Sequence, residues 1–333
     1  MMLATLMIPS VSSHDTTTSL DGYIHDDQGN VWTPTSSNLI NAVNALPTNG
    51  QLWIPAGTFI LSRNLYITQN GVQIHGSGQN TRISLQGGKI YAGLYVTSSS
   101  TLARYSHGLN NLVLENFCVE GSGSIEIVLG SNIRLQGIYA YNMRSAVPAA
   151  FHLVLPTDGT PCYNLKVIDC HTYKTSCHGF QINGIEPNGR NAITNVLFDH
   201  CTASYAGWHQ SGWASGNWSV GFDFGEGYNK CLLTVTNVVV QNCSADHAWE
   251  SGFHMESNVK RSLTYNYCKA DYNGLKRRAH REYTYYFCSG FIAETGVTLN
   301  HCEASCNTNR GVLWRNRAII HGFAGDGNWH SLT

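Results

Sequence analysis

Acidic side chains crowd into one stretch of this chain, where they could carry acid–base chemistry. The sequence holds 21 Asp and Glu residues, and six of them lie between positions 223 and 271. Paired carboxylates act as acid and base, or as acid and nucleophile, in glycoside hydrolysis. Their repulsion raises at least one pKa, as a general acid requires. The alternative for any one of them is a solvated or turn-binding carboxylate. The candidate catalytic residues are Asp246, Asp271, Asp223, Glu250, Glu256 and His254.

Two long connections beside that stretch carry residues suited to a sugar polymer. One is rich in tryptophan and the other in lysine and arginine. Indole rings offer flat apolar faces on which sugar rings can stack, and basic side chains bind carboxylates or sulfates. Loop-anchoring tryptophans and a solvated charged loop are the alternatives. The candidate substrate-binding residues are Trp208, Trp213, Trp218, Trp249, His247, Lys276, Arg277 and Arg281.

The elements that would position these residues are repeats of unequal length. Segments of similar sequence end at Cys118, Cys170, Cys201, Cys243, Cys268 and Cys302, and the last four continue as Cys-x-Ala. A Gly-Phe strand follows most of them, so each interval corresponds to a coil with an insertion at a turn. Because side chains alternate along a strand, the cysteines and alanines should line the interior as buried, reduced thiols and small side chains. Disulfides Cys302–Cys306 and Cys162–Cys177 stay open alternatives.

The same register predicts which polar residues share an outward column. Adjacent strands lie about 4.8 Å apart, so Asp246 and Asp271 should stand side by side, near the separation of roughly 5 to 5.5 Å in retaining glycosidases. Asp223 and Glu256, about 8 Å apart, fall in the inverting range. The first predicted column is Ser204, Asp246, Asp271 and Ser305. Two more are Gln181, Asp223, His254, Ile292 and Leu313, and Asn183, Gly225, Glu256, Glu294 and Arg315.

A helix and three short strands should precede the repeats. Apolar spacing predicts a helix from Ser36 to Leu46, capped by Ser36 or Ser37. This helix, the segment WIPAGTF at 53–59 and the segment VQIHGSG at 72–78 resemble the entry of the pectate-lyase-like superfamily. The resemblance implies an all-β fold: a single-stranded right-handed parallel β-helix with a short N-terminal capping helix. It permits hydrolases and lyases equally.

Composition sets the broad class of the protein. Among 333 residues 33 are glycine, and charged residues make up 12% against roughly 25% in an average soluble domain. We divide the chain into an N-terminal extension, 1–35, with a possible signal-peptide remnant, and a β-helix domain, 36–333. The net charge of -1 gives no case for nucleic acid, and no apolar run is long enough to span a membrane. We expect a secreted or cell-surface protein.

Three functions are compatible with these features, each with a polysaccharide as partner. The leading hypothesis is an extracellular, endo-acting glycoside hydrolase on a uronate-containing polysaccharide, without a cofactor or metal. The alternative is a polysaccharide lyase, which removes the C5 proton of a uronate; its basic and histidine residues would matter most, and the acidic cluster could bind Ca²⁺. The third is a non-catalytic glycan-binding module, which would depend on the tryptophans.

Overall fold

The computed structural model describes residues 20–94, 105–144, 148–184, 190–208, 219–227, 232–255, 260–276, 287–314 and 317–328. These residues contain helix α1 (Ser36–Ala45) and a 3₁₀ turn (Gly78–Asn80). Their strands are β1 (Ile24–Asp26), β2 (Val31–Trp32), β3 (Gln51–Trp53), β4 (Gly57–Leu61), β5 (Leu65–Ile67), β6 (Gln73–His75), β7 (Thr81–Gln86), β8 (Ile90–Ala92), β9 (Val113–Ser122), β10 (Ile125–Val128), β11 (Ser131–Met143), β12 (Ala149–Leu155), β13 (Cys162–Ile168), β14 (His171–Thr175), β15 (His178–Gly184), β16 (Arg190–Asp199), β17 (Thr202–Ala206), β18 (Phe222–Gly227), β19 (Leu232–Gln241), β20 (Ser244–Asp246), β21 (Phe253–His254), β22 (Lys260–Asn266), β23 (Lys269–Asp271), β24 (Phe291–Ala293), β25 (Val297–Asn300), β26 (Glu303–Ser305), β27 (Val312–Trp314) and β28 (Ile319–His321).

The strands assemble into two sheets whose neighbours come from successive coils. Nineteen strands form one sheet, and the other nine form a second sheet in the order β27-β24-β21-β18-β15-β12-β10-β8-β5. Pairing is parallel throughout, apart from the antiparallel contacts of β1 with β2 and β3. Most coils therefore contribute a long and a short strand to the larger sheet and one strand to the smaller sheet, as β19, β20 and β21 do. The prediction of an all-β, right-handed parallel β-helix with a short N-terminal helix is confirmed.

A sharp bend inside the larger sheet separates the long strand of each coil from the short one. Between β19 and β20, Asn242 adopts a left-handed conformation with φ 53°, and the matching residues His200, Tyr267 and His301 do the same. A non-glycine residue with positive φ turns the chain at a steric cost, and this cost is lower for asparagine than for most other residues. The residue after each bend is the repeated cysteine, so the bend fixes the direction in which that side chain points.

The repeated cysteines form the predicted interior ladder, with one exception. Cys170, Cys201, Cys243, Cys268 and Cys302 are buried, and every described cysteine is a free thiol, including those of the two possible disulfides. Cys118 was predicted to join them, which is wrong. It pairs with Tyr139, which pairs in turn with His171, so it lies one residue past the ladder. The left-handed residue in its coil is Asn116, and the inward position after it is Phe117.

Most of the ladder thiols should be unreactive in the folded protein. Burial raises the pKa of Cys170, Cys201 and Cys243 well above the ordinary value, and the thiolate is the reactive form. We expect negligible alkylation of these cysteines at mildly alkaline pH and full alkylation in urea, measured by peptide mass spectrometry. Cys306, which is partly exposed, serves as the internal comparison. Rapid native labelling of Cys201 or Cys243 would contradict a closed interior.

Helix α1 covers the first coils, as predicted, although its cap is Thr35 rather than Ser36 or Ser37. The Thr35 hydroxyl accepts the backbone N–H of Asn38 at 3.3 Å, an N-cap bond that needs the extended backbone found at Thr35. The buried face of the helix includes Leu39, Ile40 and Val43, which cover the open end of the coil stack. No helix among the described residues has the length and apolarity needed to cross a membrane.

Candidate functional site

One column of polar side chains runs across the outer face of the nine-stranded sheet. On the inner face of this sheet, five phenylalanine rings stack at successive centroid distances of 4.8, 4.8, 4.9 and 4.7 Å; they belong to Phe151, Phe180, Phe222, Phe253 and Phe291. The residue after each phenylalanine points outward because side chains alternate. On β15, β18 and β21 these outward residues are Gln181, Asp223 and His254, directly paired in register. This part of the predicted column is confirmed.

The glycine before four of the five stacked phenylalanines, all except Phe151, follows from close packing at the corner of the coil. A Cβ atom on Gly221 would lie 2.7 Å from the carbonyl oxygen of Gly252 and 2.8 Å from the Cβ of Ala245. Neither neighbour can retreat, since one is backbone and the other belongs to the interior alanine column. The Gly-Phe repeat therefore holds the start of each strand, and with it the outward residue that follows.

The centre of this column is buried and hydrogen-bonded. Gln181, Asp223 and His254 are 1%, 2% and 4% exposed. The Gln181 amide nitrogen Nε2 donates to Asp223 Oδ2 at 3.0 Å, and the Ser251 hydroxyl lies 3.2 Å from His254 Nδ1. A carboxylate and an imidazole are thus held on neighbouring strands, away from water.

An amide on the same face completes this centre. Asn183 lies two residues beyond Gln181 on β15 and so faces the same way. It is 7% exposed, and its Oδ1 has no hydrogen-bond partner among the described residues. Buried polar atoms are rarely left in that state, so the position suits a polar ligand. Asn183 pairs with Glu226, so the predicted pairing with Gly225 is wrong; a register irregularity after Ile182 shifts the column by one residue.

The column extends to two residues that the sequence analysis missed. Glu126 on β10 pairs with His152 on β12, and His152 pairs with Gln181. Glu126 Oε2 accepts a hydrogen bond from Lys89 Nζ at 2.7 Å and lies 3.4 Å from His152 Nδ1. Glu126 Oε1 accepts a hydrogen bond from the Tyr105 hydroxyl at 3.0 Å. The sequence held a signal for His152, because it follows Phe151 as Gln181 follows Phe180. Cys-x-Ala and Gly-Phe mark the repeat elsewhere in the sequence, and this coil has neither.

Acid should weaken the fold through Glu126. Burial alone would raise the pKa of its carboxyl, but the hydrogen bond and charge of His152, with the charge of Lys89, lower the pKa from 4.5 to about 2. Since the unfolded chain binds this proton more readily, Glu126 stabilises the fold above pH 4.5, and that stability is lost as pH falls toward 2. Between about pH 5 and about pH 3, Glu126→Gln should therefore lose less free energy of unfolding than the parent protein, as measured by urea denaturation.

One other buried group also titrates in this range. Burial, with the charges of His254 and His152, lowers the pKa of His178 to about 3. A histidine kept neutral in the folded state also costs stability as the pH falls below its ordinary pKa. This loss occurs in both proteins, so the difference between them isolates Glu126. Equal acid sensitivity of parent and Glu126→Gln would contradict the ion cluster.

Asp246 and Asp271 stand side by side as predicted. They lie on the nineteen-stranded sheet, whereas Asp223 and His254 lie on the nine-stranded sheet. The two aspartates are direct partners on β20 and β23, with Ser204 and Ser305 as their column neighbours. These strands belong to the nineteen-stranded sheet. The structure therefore does not bring this pair together with Asp223 and His254, because the chain turns a corner between Asp246 and Phe253.

All four carboxylate oxygens of this pair have partners. Asp246 Oδ2 accepts the Ser204 hydroxyl at 2.5 Å, and Oδ1 lies 2.7 Å from His247 Nδ1. Asp271 Oδ2 lies 3.2 Å from Lys269 Nζ, and Oδ1 accepts the backbone N–H of Ser305 at 3.0 Å. This arrangement is typical of a side-chain ladder that ties successive coils together. It leaves no oxygen of either aspartate aimed solely at a substrate.

Glu250 and Lys276 form a buried ion pair. Lys276 Nζ donates to Glu250 Oε1 at 2.7 Å, and the two residues are 6% and 1% exposed. The sequence predicts a substrate-binding role for Lys276 and a catalytic role for Glu250. Their contact connects the turn before β21 to the turn after β23. A buried pair of this kind fixes geometry more than it adds stability.

Three of the predicted substrate-binding residues meet at one pocket. Trp208, His247 and Trp249 line a cavity of about 290 Å³ together with Tyr205 and Leu275. The His247 ring stacks between Tyr205, at 4.5 Å, and Tyr272, at 5.2 Å. Both faces of His247 are thereby covered, so only its edge is available to a ligand. The pocket adjoins Asp246 through His247 and lies apart from the Asp223 column.

Some predicted site residues lie outside the described part of the chain. They are Glu256, Trp213, Trp218, Arg277 and Arg281, together with Arg315 of the third predicted column. Among the described residues, no group of three or more His, Cys, Asp or Glu side chains is arranged to hold a metal ion.

Comparison with known proteins gives similar folds only. No protein-family model matches the sequence, and no curated protein matches it. Three solved structures are similar over 89% of this chain: ORF18 of Geobacillus virus E2 (12% identity, TM-score 0.44), the A-module of the Azotobacter vinelandii mannuronan C-5 epimerase AlgE4 (13%, 0.33) and the alginate lyase of Paenibacillus sp. str. FPU-7 (12%, 0.39). This chain spans 60% of the viral protein and 94% of each of the other two. Likeness at this level carries no argument about activity.

Proposed function

We propose that this protein is a polysaccharide lyase that cleaves a uronate-containing chain on the outer face of the nine-stranded sheet. The observation that supports this is the order Gln181, Asp223, His254 on three adjacent strands, buried and in register. Elimination needs a base for the proton next to the carboxylate and neutral donors that stabilise the carboxylate as charge develops on it. This column offers both kinds of group within neighbouring strands.

In the proposed reaction, His254 accepts the C5 proton of the uronate. The electrons of the C–H bond form the C4–C5 double bond, and the C4–O bond breaks with its electron pair on the leaving oxygen, which takes up a proton from water. A neutral imidazole is an effective base near neutral pH, and the Asp223 carboxylate beside it stabilises the imidazolium that forms. The amide nitrogens of Gln181 and Asn183 would donate hydrogen bonds to the uronate carboxylate without adding a competing negative charge, and Asn183 Oδ1 would accept one from a sugar hydroxyl.

The two described carboxylates of this column, Glu126 and Asp223, are too far apart to act as a glycosidase pair. Glu126 and Asp223 are three strands apart in the column, or about 14 Å between backbones. Acid and base of an inverting glycosidase lie roughly 6.5 to 9.5 Å apart, and those of a retaining enzyme are closer still. In addition, the Glu126 carboxylate is held by Lys89, Tyr105 and His152.

Glycoside hydrolysis at Asp246 and Asp271 is the second candidate. One observation favours it: the two aspartates are direct strand partners, about 4.8 Å apart, beside a pocket lined by Trp208 and Trp249. The existing partners of all four oxygens weigh against it, since a catalytic pair must release them to reach a substrate. The lyase proposal therefore leads.

The test is an assay that separates the two reactions. The protein is incubated with alginate, polygalacturonate, chondroitin sulfate and a neutral glucan, with and without a calcium chelator. New reducing ends accompanied by ultraviolet absorbance of an unsaturated uronate support elimination. Reducing ends without absorbance would overturn the lyase proposal in favour of hydrolysis. Binding without cleavage would indicate a glycan-binding module. Because these polymers are extracellular, we also propose a secreted or cell-surface location.

A further inference from the structure

The outer face of the nine-stranded sheet changes character between its two halves. On β8, β10 and β12 the outward residues include Tyr91, Val128 and Val154, which form an apolar cluster with Tyr105. Their side chains are 2%, 0%, 0% and 3% exposed. Outward residues this apolar would be costly in water, and here the Tyr105 ring covers them. The cluster is separate from the interior core of the coils.

The segment that carries Tyr105 is fastened on both sides of this cluster. The Tyr105 hydroxyl donates to Glu126 Oε1, and the carbonyl oxygen of Tyr105 accepts the backbone N–H of Thr157 at 2.9 Å. Two residues on, His107 Nδ1 lies 2.8 Å from Asp158 Oδ2. A side-chain bond to the sheet and two bonds to the connection after β12 hold the segment across these strands. We refer to Tyr105, Tyr91, Val128 and Val154 as the tyrosine wall.

The polar column runs directly into this wall. His152 is 3% exposed, and its ring meets the Tyr105 ring edge-on at 6.3 Å between centroids. One strand further along, Gln181 begins the centre that carries the proposed chemistry. A polysaccharide lying along the column would therefore meet the tyrosine wall immediately beyond Gln181.

We infer that the tyrosine wall closes the site at one end, so that the protein takes the end of a uronate chain and releases short products from it. This inference rests on the proposed function and replaces the endo-acting mode that the sequence suggested. An endo-acting enzyme needs a groove open at both ends, because the chain must pass through. A wall one strand from Gln181 blocks the path of a sugar chain beyond Gln181 on that side.

The experiment follows product size and viscosity on whichever panel polymer is cleaved. Release from a chain end should give one or two short unsaturated products from the first time point, while viscosity falls slowly relative to bonds broken. A rapid fall in viscosity with a ladder of intermediate sizes would overturn the inference and leave the lyase proposal intact. In one reaction, the formation of unsaturated products thus tests elimination, and the product sizes and the viscosity test the wall.

A variant and a binding measurement make the test independent of the parent product pattern. Tyr105→Ala removes the ring but leaves the contacts of Glu126 with Lys89 and His152, and it should shift the products toward longer chains. Tyr173→Ala, at a 44% exposed tyrosine on the other sheet, should leave the product pattern unchanged. The His254→Asn protein should bind oligouronates at one protein molecule per chain, whatever the chain length, because only a chain end fits. A number of bound molecules that rises with chain length would contradict the wall, and no binding of any oligomer would overturn both proposals.

Discussion

Replacing His254 with asparagine is expected to lower kcat by about 10²- to 10⁴-fold, the usual contribution of a general base. The side chain lies beside Asp223 on the next strand and within reach of the Ser251 hydroxyl, so it is fixed in position and next to a negative charge. Asparagine keeps a polar group of similar size and cannot accept a proton. KM should change little, because the loss is confined to the transition state. Initial rates of unsaturated product formation measure both constants.

Asp246→Asn is the matched control for this substitution. Asp246 lies only eight residues from His254 in the chain but on the nineteen-stranded sheet. Its partners Ser204 and His247 can hydrogen-bond to an amide as well, so the fold should persist and kcat should stay near the parent value. If Asp246→Asn abolishes turnover and His254→Asn does not, the chemistry belongs to the aspartate pair and hydrolysis becomes the leading function.

Truncating Phe222 to alanine should destabilise the fold by about 3 to 5 kcal/mol, the usual cost of removing a buried aromatic ring. Phe222 stacks between Phe180 and Phe253 at 4.8 and 4.9 Å and contacts the edge of Phe198. Its neighbours cannot collapse into the gap, because parallel pairing holds the strands at a fixed spacing. The free energy of unfolding is measured from urea denaturation, with agreement between fluorescence and circular dichroism checked first.

The exposed Tyr173 provides a comparison for this stability test as well. Tyr173→Ala should change the free energy of unfolding by no more than about 0.5 kcal/mol, as most surface substitutions do. A loss below about 1 kcal/mol for Phe222→Ala would mean that the coils repack around the missing ring. The stack would then be a consequence of strand spacing and not a source of stability.

The coils themselves could be predicted from the sequence because the residues that define each coil lie close together in the chain. Each left-handed residue, the cysteine after it and the alanine two positions on lie within four residues, and strand alternation assigns each a face. The pairings of Asp246 with Asp271 and of Asp223 with His254 followed from that register and are confirmed. Cys118 failed the same reasoning because its coil has Phe117 at the inward position, so matching cysteine to cysteine shifted the register by one.

Only part of the candidate site could be predicted from the sequence, and His152 and Glu126 show why. Their coils lack both the Cys-x-Ala and the Gly-Phe patterns that mark the repeat elsewhere, so their membership of the column depended on pairing that only the folded sheet displays. Tyr105 belongs to no strand of the sheet it covers. Its position over Glu126 and Val128 is a tertiary contact, and no short-range pattern predicts it.

The sequence by itself determined which side chains point into the β-helix and which point out, because alternation along a strand and the repeated bend are properties of a few consecutive residues. It did not determine which outward columns share a face. Asp246 and His254 are eight residues apart, yet the corner after Asp246 places them on different sheets. That corner depends on how the connection packs against neighbouring coils, as the contact of Gly252 with Gly290 and the ion pair of Glu250 with Lys276 show. The tertiary structure therefore decided which acids meet which histidines.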